Sequence, residues 1–253
     1  MKKILLLVAV VVVLFSCKKL AEGEYEITGN VKGMKTGLVY LEKQSPMGMG
    51  PKAIDTVKIV DGKFVIKGKT TEPEIYFLQV DKVNGKVPLI LEGGAIQVTV
   101  DKDSVYKSKL SGTYSNEEFS KFNEESAKIQ KGLQKKVMAF QTKNMAVMNE
   151  AQKTNDTVTM NKLRKEYDVL QKDITDYTFG YPKTHPKSYI SVLITQMMVN
   201  NPKYSKEVEG LYNSLDASLK KTKPGKAIKT NLDSLKKKPA APVVQPAAPS
   251  PSK

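Results

Sequence analysis

Cys17 is the only cysteine in the 253 residues and stands directly behind Leu14-Phe15-Ser16. Residues 4–15 before it are wholly apolar, and Met1-Lys2-Lys3 precede them. A positive start, a short apolar core and small residues at the cut describe a cleaved export signal. The 12-residue core is well short of the roughly 20 residues that span a bilayer. The pattern predicts that residues 1–16 are removed and that the Cys17 thiol is acylated, becoming the lipid-bearing first residue of the mature chain. Acylation consumes that thiol, so no dithiol chemistry and no intrachain disulfide are available, and stability must come from a packed core.

The other chemistry-bearing residues are sparse. His185 is the only histidine, which excludes a multi-histidine metal site and a histidine-based triad within one chain. A lone imidazole can still act as acid or base, and beside Pro186 it reads first as part of a bend. Met47-Gly48-Met49-Gly50, with Met34, offers soft thioethers suited to copper(I), or a plain hairpin loop. Asp101-Lys102-Asp103-Ser104 follows a calcium loop for three positions, then departs at Val105 and lacks the downstream Gly and Glu. No Gly-x-Ser-x-Gly, phosphate loop or dinucleotide fingerprint occurs. Carboxylates such as Glu42 and Glu92 are scattered, and the lack of Trp beside eleven Tyr argues against a broad sugar platform. The sequence therefore assigns no catalytic, cofactor or metal residues, and its one assigned site is the lipidation site Cys17.

Charge points to the surroundings. The formal net charge is +15, yet residues 17–112 and 113–219 are nearly balanced, while residues 220–253 hold nine Lys against Asp233 alone. This localised excess predicts contact with an anionic envelope surface through the basic C-terminal segment, and argues against nucleic acid as a partner.

These residues must be positioned by two kinds of element. Short β-rich runs bounded by turn residues fall at 25–32, 38–43, 53–60, 63–67, 74–81, 86–91 and 95–101, with 105–110 as a possible eighth. Asp61-Gly62 marks a tight hairpin, and Glu92-Gly93-Gly94 reads as a second turn of that kind. Phe64, Ile66, Tyr76, Leu78, Val80, Leu89, Leu91, Ile96, Val98 and Val100 alternate with other residues and should form the buried face. At Ser115 the period changes. Ser115-Asn116-Glu117-Glu118 has the form of a capping box, and Phe119, Phe122, Ile129, Leu133, Val137 and Phe140 recur at helical spacing up to about Lys153. A second helix carries Met160, Leu163, Tyr167, Leu170, Ile174 and Tyr177, which predicts an antiparallel helical hairpin. Tyr181-Pro182 and His185-Pro186 should end it, with shorter helices at 188–199, 203–219 and 225–237. Residues 239–253 are rich in Pro and Ala and predict a disordered, semi-extended tail.

The fold class is thus α+β: an antiparallel β-sandwich of seven to eight strands over residues 25–112, then a helical domain over 113–238. Residues 17–24 form a lipidated linker and 239–253 the tail. The succession Ile27-Thr28-Gly29-Asn30-Val31-Lys32-Gly33, Gly37-Leu38-Val39-Tyr40-Leu41, Ile54-Asp55-Thr56, Asp61-Gly62-Lys63-Phe64-Val65-Ile66-Lys67-Gly68, Leu91-Glu92-Gly93-Gly94 and Leu110-Ser111-Gly112 resembles the domain of unknown function 4369. That domain forms the N-terminal part of many thioredoxin-like lipoproteins of Bacteroidota. The second half, through His185-Pro186-Lys187-Ser188 and Gly225-Lys226-Ala227-Ile228, is similar to the helical linker of the same lipoproteins. The resemblance implies the β domain, the helices and an envelope location. In those relatives a thioredoxin-like domain follows, whereas here Lys236-Lys237-Lys238 runs into the proline tail, so the expectation is a chain without that catalytic domain.

The expectation that follows is a non-enzymatic cell-envelope lipoprotein, an interaction or scaffold module for an unknown protein partner. It would be held to the membrane by its N-terminal lipid, on the periplasmic face of the outer membrane or, alternatively, at the cell surface. Two further readings stay open: an accessory subunit of a separate thiol-disulfide oxidoreductase system, and a module that binds a small ligand between its sheets.

Overall fold

The computed structural model describes residues 20–45, 50–201 and 204–237. Cys17, the Met47-Gly48-Met49 stretch and the tail 239–253 lie outside the described residues. The described residues form eight strands, then seven helices. The strands are β1 Glu24–Lys32, β2 Thr36–Lys43, β3 Lys52–Val60, β4 Lys63–Lys69, β5 Glu74–Val80, β6 Val87–Leu91, β7 Gly94–Asp101 and β8 Lys109–Ser111. They hydrogen-bond into a single sheet in the order β6-β5-β2-β3-β4-β1-β7-β8, nearly closed into a barrel. The β-rich domain of seven to eight strands is present, and its two expected layers are the opposite walls of one curled sheet.

Alternation builds this sheet as expected. All ten residues assigned to the buried face are buried, from Phe64 to Val100, because side chains on successive strand residues point to opposite faces. Asp61-Gly62 makes the tight turn between β3 and β4, with both residues at positive φ (50° and 80°), as a type I′ turn requires. Cross-strand aromatics cover two glycines: β1 pairs Gly29 with Phe64 and Tyr25 with Gly68 on β4. A Cβ at Gly29 would lie 1.9 Å from the Phe64 ring, so the ring occupies the space that only glycine leaves open.

The turn at Glu92-Gly93-Gly94 does not make a hairpin. β6 pairs only with β5, whereas β7 runs parallel to β1 and antiparallel to β8. The chain leaves one edge of the sheet at β6 and re-enters beside β1. Gly94, at φ 126°, makes the swing, and local turn chemistry cannot tell such a crossover from a hairpin.

The helices are α1 Tyr114–Lys153, α2 Thr157–Leu170, α3 Lys172–Thr184, α4 Tyr189–Val199, α5 Ser205–Ser214, α6 Ala217–Lys221 and α7 Lys223–Lys237. Two expected helices are each divided. Gln171 separates α2 from α3, and Asp216 starts a new helix by accepting the Ser218 backbone N–H at 2.9 Å. Pro182 lies in the last turn of α3 instead of ending it. Apolar on nearly all sides, α4 is the centre of a second core, with Ile190, Ile194 and Met198 packed against Val208, Leu211, Ile228 and Leu232. Ile90 of β6 belongs to this second core. The edge strand is thus buried on both faces, and the helices use the outside of the sheet as a floor.

The C-terminal basic segment is partly structural. Ile228 is fully buried and Lys223 bridges Glu72 at 3.2 Å and Glu74 at 3.3 Å, so residues 223–237 belong to the fold and cannot be treated as part of a free extension.

Candidate functional site

Residues 115–120 close the seam between the two sheet edges, β6 and β8. Asn116, fully buried, accepts the Ile90 backbone N–H with Oδ1 at 3.0 Å and donates through Nδ2 to the Ile90 carbonyl at 2.7 Å. One side-chain amide thereby takes the place of a neighbouring strand. Ser115 donates to the Glu92 carboxylate from its backbone N–H at 3.0 Å and from its hydroxyl at 2.6 Å. On the other edge, the Ser120 hydroxyl donates to the Leu110 carbonyl at 3.0 Å. The expected capping box is not formed: Thr113 is the N-cap, and the residues read as a cap are spent on joining the helix to the sheet.

Glu118, the other half of that box, points into the helical half. Its Oε2 accepts the Tyr181 hydroxyl at 3.0 Å and its Oε1 pairs with Lys121 at 3.1 Å. Burial, reinforced by Glu118, pushes the Tyr181 phenol far above its ordinary range, so it stays protonated and donates at physiological pH. His185 stacks flat on Tyr181 with ring centroids 4.0 Å apart. Its Nδ1 lies 2.8 Å from Thr184 Oγ1 and 3.2 Å from the Tyr181 carbonyl. The only histidine thus belongs to the bend between α3 and α4. Beside it, between α1 and α3, opens a cleft of about 580 Å³ lined by Tyr114, Glu118, Phe122, Glu125, Tyr177 and His185, among others. Its walls carry both signs of charge, with Glu118 paired to Lys121 and Glu125 to Lys128.

The remaining sequence candidates are dispersed. Asp101 Oδ1 accepts the backbone N–H groups of Asp103 and Ser104, each at 3.1 Å, and Asp103 pairs with Lys102. These carboxylates organise a turn. Met34 packs against the core of the sheet. Glu42 pairs with Lys86, and Glu92 is held by Ser115. Among the described residues no group of three or more His, Cys, Asp or Glu side chains is placed to hold a metal ion. No helix among them is long and apolar enough to cross a membrane.

The largest surface feature is the pair α1 and α2. Forty residues of α1 extend about 60 Å at 1.5 Å per residue. After Glu118 the only buried residue on α1 is Ala151, and on α2 the only one is Leu163. Ile129, Leu133, Val137 and Phe140, expected as core, are only half-buried, because a two-helix arm has one contact seam and no third layer. Its outer surfaces carry exposed apolar side chains: Met138 (61%), Met145 (59%), Val158 (78%) and Val169 (69%).

Residues 25–119 match the family described as "Domain of unknown function (DUF4369)". The matched stretch contains nearly the whole sheet and the first turns of α1, with Asn116 and Glu118, and it stops before the arm. The N-terminal β domain is thus similar to that family from end to end, as the motif succession implied. No curated protein matches the chain.

Proposed function

We propose that this chain is a non-enzymatic, lipid-anchored protein of the cell envelope, whose helical arm presents a docking surface to a protein partner. The observation that carries the reading is the arm itself: a two-helix projection that leaves Val158 and Val169 exposed on α2. Eleven positions apart, these two residues lie on one side of α2, opposite the buried Leu163. Covering these two valines is the apolar contact that such a partner would gain. The Leu14-Phe15-Ser16-Cys17 junction supplies the anchor, and the sheet supplies a rigid base for the arm. The outer membrane, facing the periplasm, is the preferred location.

The test is capture from detergent-solubilised envelopes with the intact protein and with Val158→Asp/Val169→Asp. Both positions are exposed, so the variant is expected to keep its denaturation midpoint. A partner retained by the intact protein and lost by the variant supports the reading. Identical captures from the two would overturn it.

A further inference from the structure

We propose that the outward face of α1 lies against an anionic lipid bilayer, so that the arm rests along the membrane with α2 turned away from it. Residues 126–149 contain Lys128, Lys131, Lys135, Lys136 and Lys143 and not one acidic residue, between Glu125 and Glu150. This acid-free stretch is about 36 Å long. Lys128 pairs with Glu125 and Lys136 with Asp173, while Lys131, Lys135 and Lys143 are exposed and form no ion pair among the described residues.

The apolar exposure falls on the same side as Lys131 and Lys135, whereas Lys143 lies roughly 120° round the helix from Lys131. At about 100° per residue, Lys131, Met138 and Met145 lie within roughly 40° of one another, with Lys128 and Lys135 on the adjoining flank. Ile129, Leu133, Val137 and Phe140 face the opposite way, toward α2 and α3. Flexible thioethers ringed by lysines are the composition of a face that lies in a headgroup layer. An aqueous partner of acidic character would satisfy the lysines but would gain little from the methionines.

The root of the arm is also at the correct end of the molecule. A Cβ on Gly93 would lie 3.4 Å from Gly23, and one on Gly94 would lie 3.0 Å from Thr113, the N-cap of α1. The helix that carries the arm therefore starts beside the point where the N-terminal segment enters the sheet. Gly23 is six positions after Cys17, a reach of about 20 Å at most. The placement of the anchor rests on acylation at Cys17; the charge and face of α1 do not.

The test uses residues 18–253, which lack the lipid, so that surface binding is read independently of acylation. Binding to vesicles of phosphatidylglycerol and phosphatidylethanolamine is compared with binding to phosphatidylcholine vesicles. Each lysine near an anionic surface is worth roughly fivefold in binding, so Lys128→Gln/Lys131→Gln/Lys135→Gln should weaken it by about 100-fold. Lys52→Gln/Lys58→Gln/Lys63→Gln removes equal charge from the sheet and should change binding by no more than about threefold. The segment has no cysteine, so Met138→Cys and Val158→Cys accept a single environment-sensitive fluorophore. The label at 138 should shift to the blue on anionic vesicles, and the label at 158 should not.

Equal losses from the two lysine variants would mean that only net charge matters, and would overturn the proposal. So would equal shifts at the two labels. Unchanged vesicle binding by the α1 variant, with loss of a captured protein, would assign the face to a protein instead.

Discussion

Asn116 occupies a position where two backbone groups of the sheet would otherwise be buried without partners. Asn116→Ala should therefore cost about 1–3 kcal/mol, the penalty of leaving buried hydrogen-bonding groups unsatisfied, read as a lower urea midpoint. Asn116→Asp keeps the acceptor for the Ile90 N–H and loses the donor to its carbonyl, so it should not restore stability. A second residue-level prediction concerns pH. Glu74 is partly buried, which opposes ionisation, but hydrogen bonds from Lys43 and Lys223 outweigh this and hold its carboxyl below the ordinary range. Its folded pKa is thus lower than its unfolded value. The stability it contributes is complete above about pH 4.3 and is lost as pH falls through the lower folded value. Amides of α7 should accordingly show lower protection factors in acid, once the slower intrinsic exchange there is divided out, and Glu74→Gln should remove most of that pH dependence. Neither role was legible from the sequence. Ser115-Asn116-Glu117-Glu118 has the composition of a helix start and does start a helix, but Ser115, Asn116 and Glu118 also bond partners 23 to 63 residues away, which local spacing cannot register.

Strands and helices were more legible than the contacts between them. Period-two alternation located every strand to within about two residues except β8, where the short helical turn Val105–Lys107 takes up half of the expected run. Pairing order was not legible, because Gly93-Gly94 serves a crossover as readily as a hairpin. The same limit applies to the C-terminal basic segment, whose lysines are conspicuous while Ile228 and Leu232, only four positions apart, are the residues that pack. Cutting after Leu219 should therefore unfold the helical half, with loss of helical circular dichroism, whereas cutting after Lys238 should leave the midpoint unchanged. Equal stability of the two truncations would show that α7 contributes nothing to the core.

For the whole molecule, two cores share β6 and are joined by the first turns of α1, so the sheet and the helical body form a base from which the arm extends. Such an assembly suits a tethered protein that must hold a partner at a fixed position from its anchor. The proposed anchor lies at Leu14-Phe15-Ser16-Cys17, outside the described residues, and a chemical measurement is the direct test. Cells expressing the wild-type chain and Cys17→Ala are fed an alkyne-bearing fatty acid, and the protein is recovered from membrane and soluble fractions. A single acyl chain binds membranes only marginally, and stable anchoring takes more than one. The account predicts label and membrane retention for the wild type, with loss of label and either release or accumulation of an unprocessed precursor for Cys17→Ala. Equal labelling of the two proteins, or no label on the wild type, would contradict it.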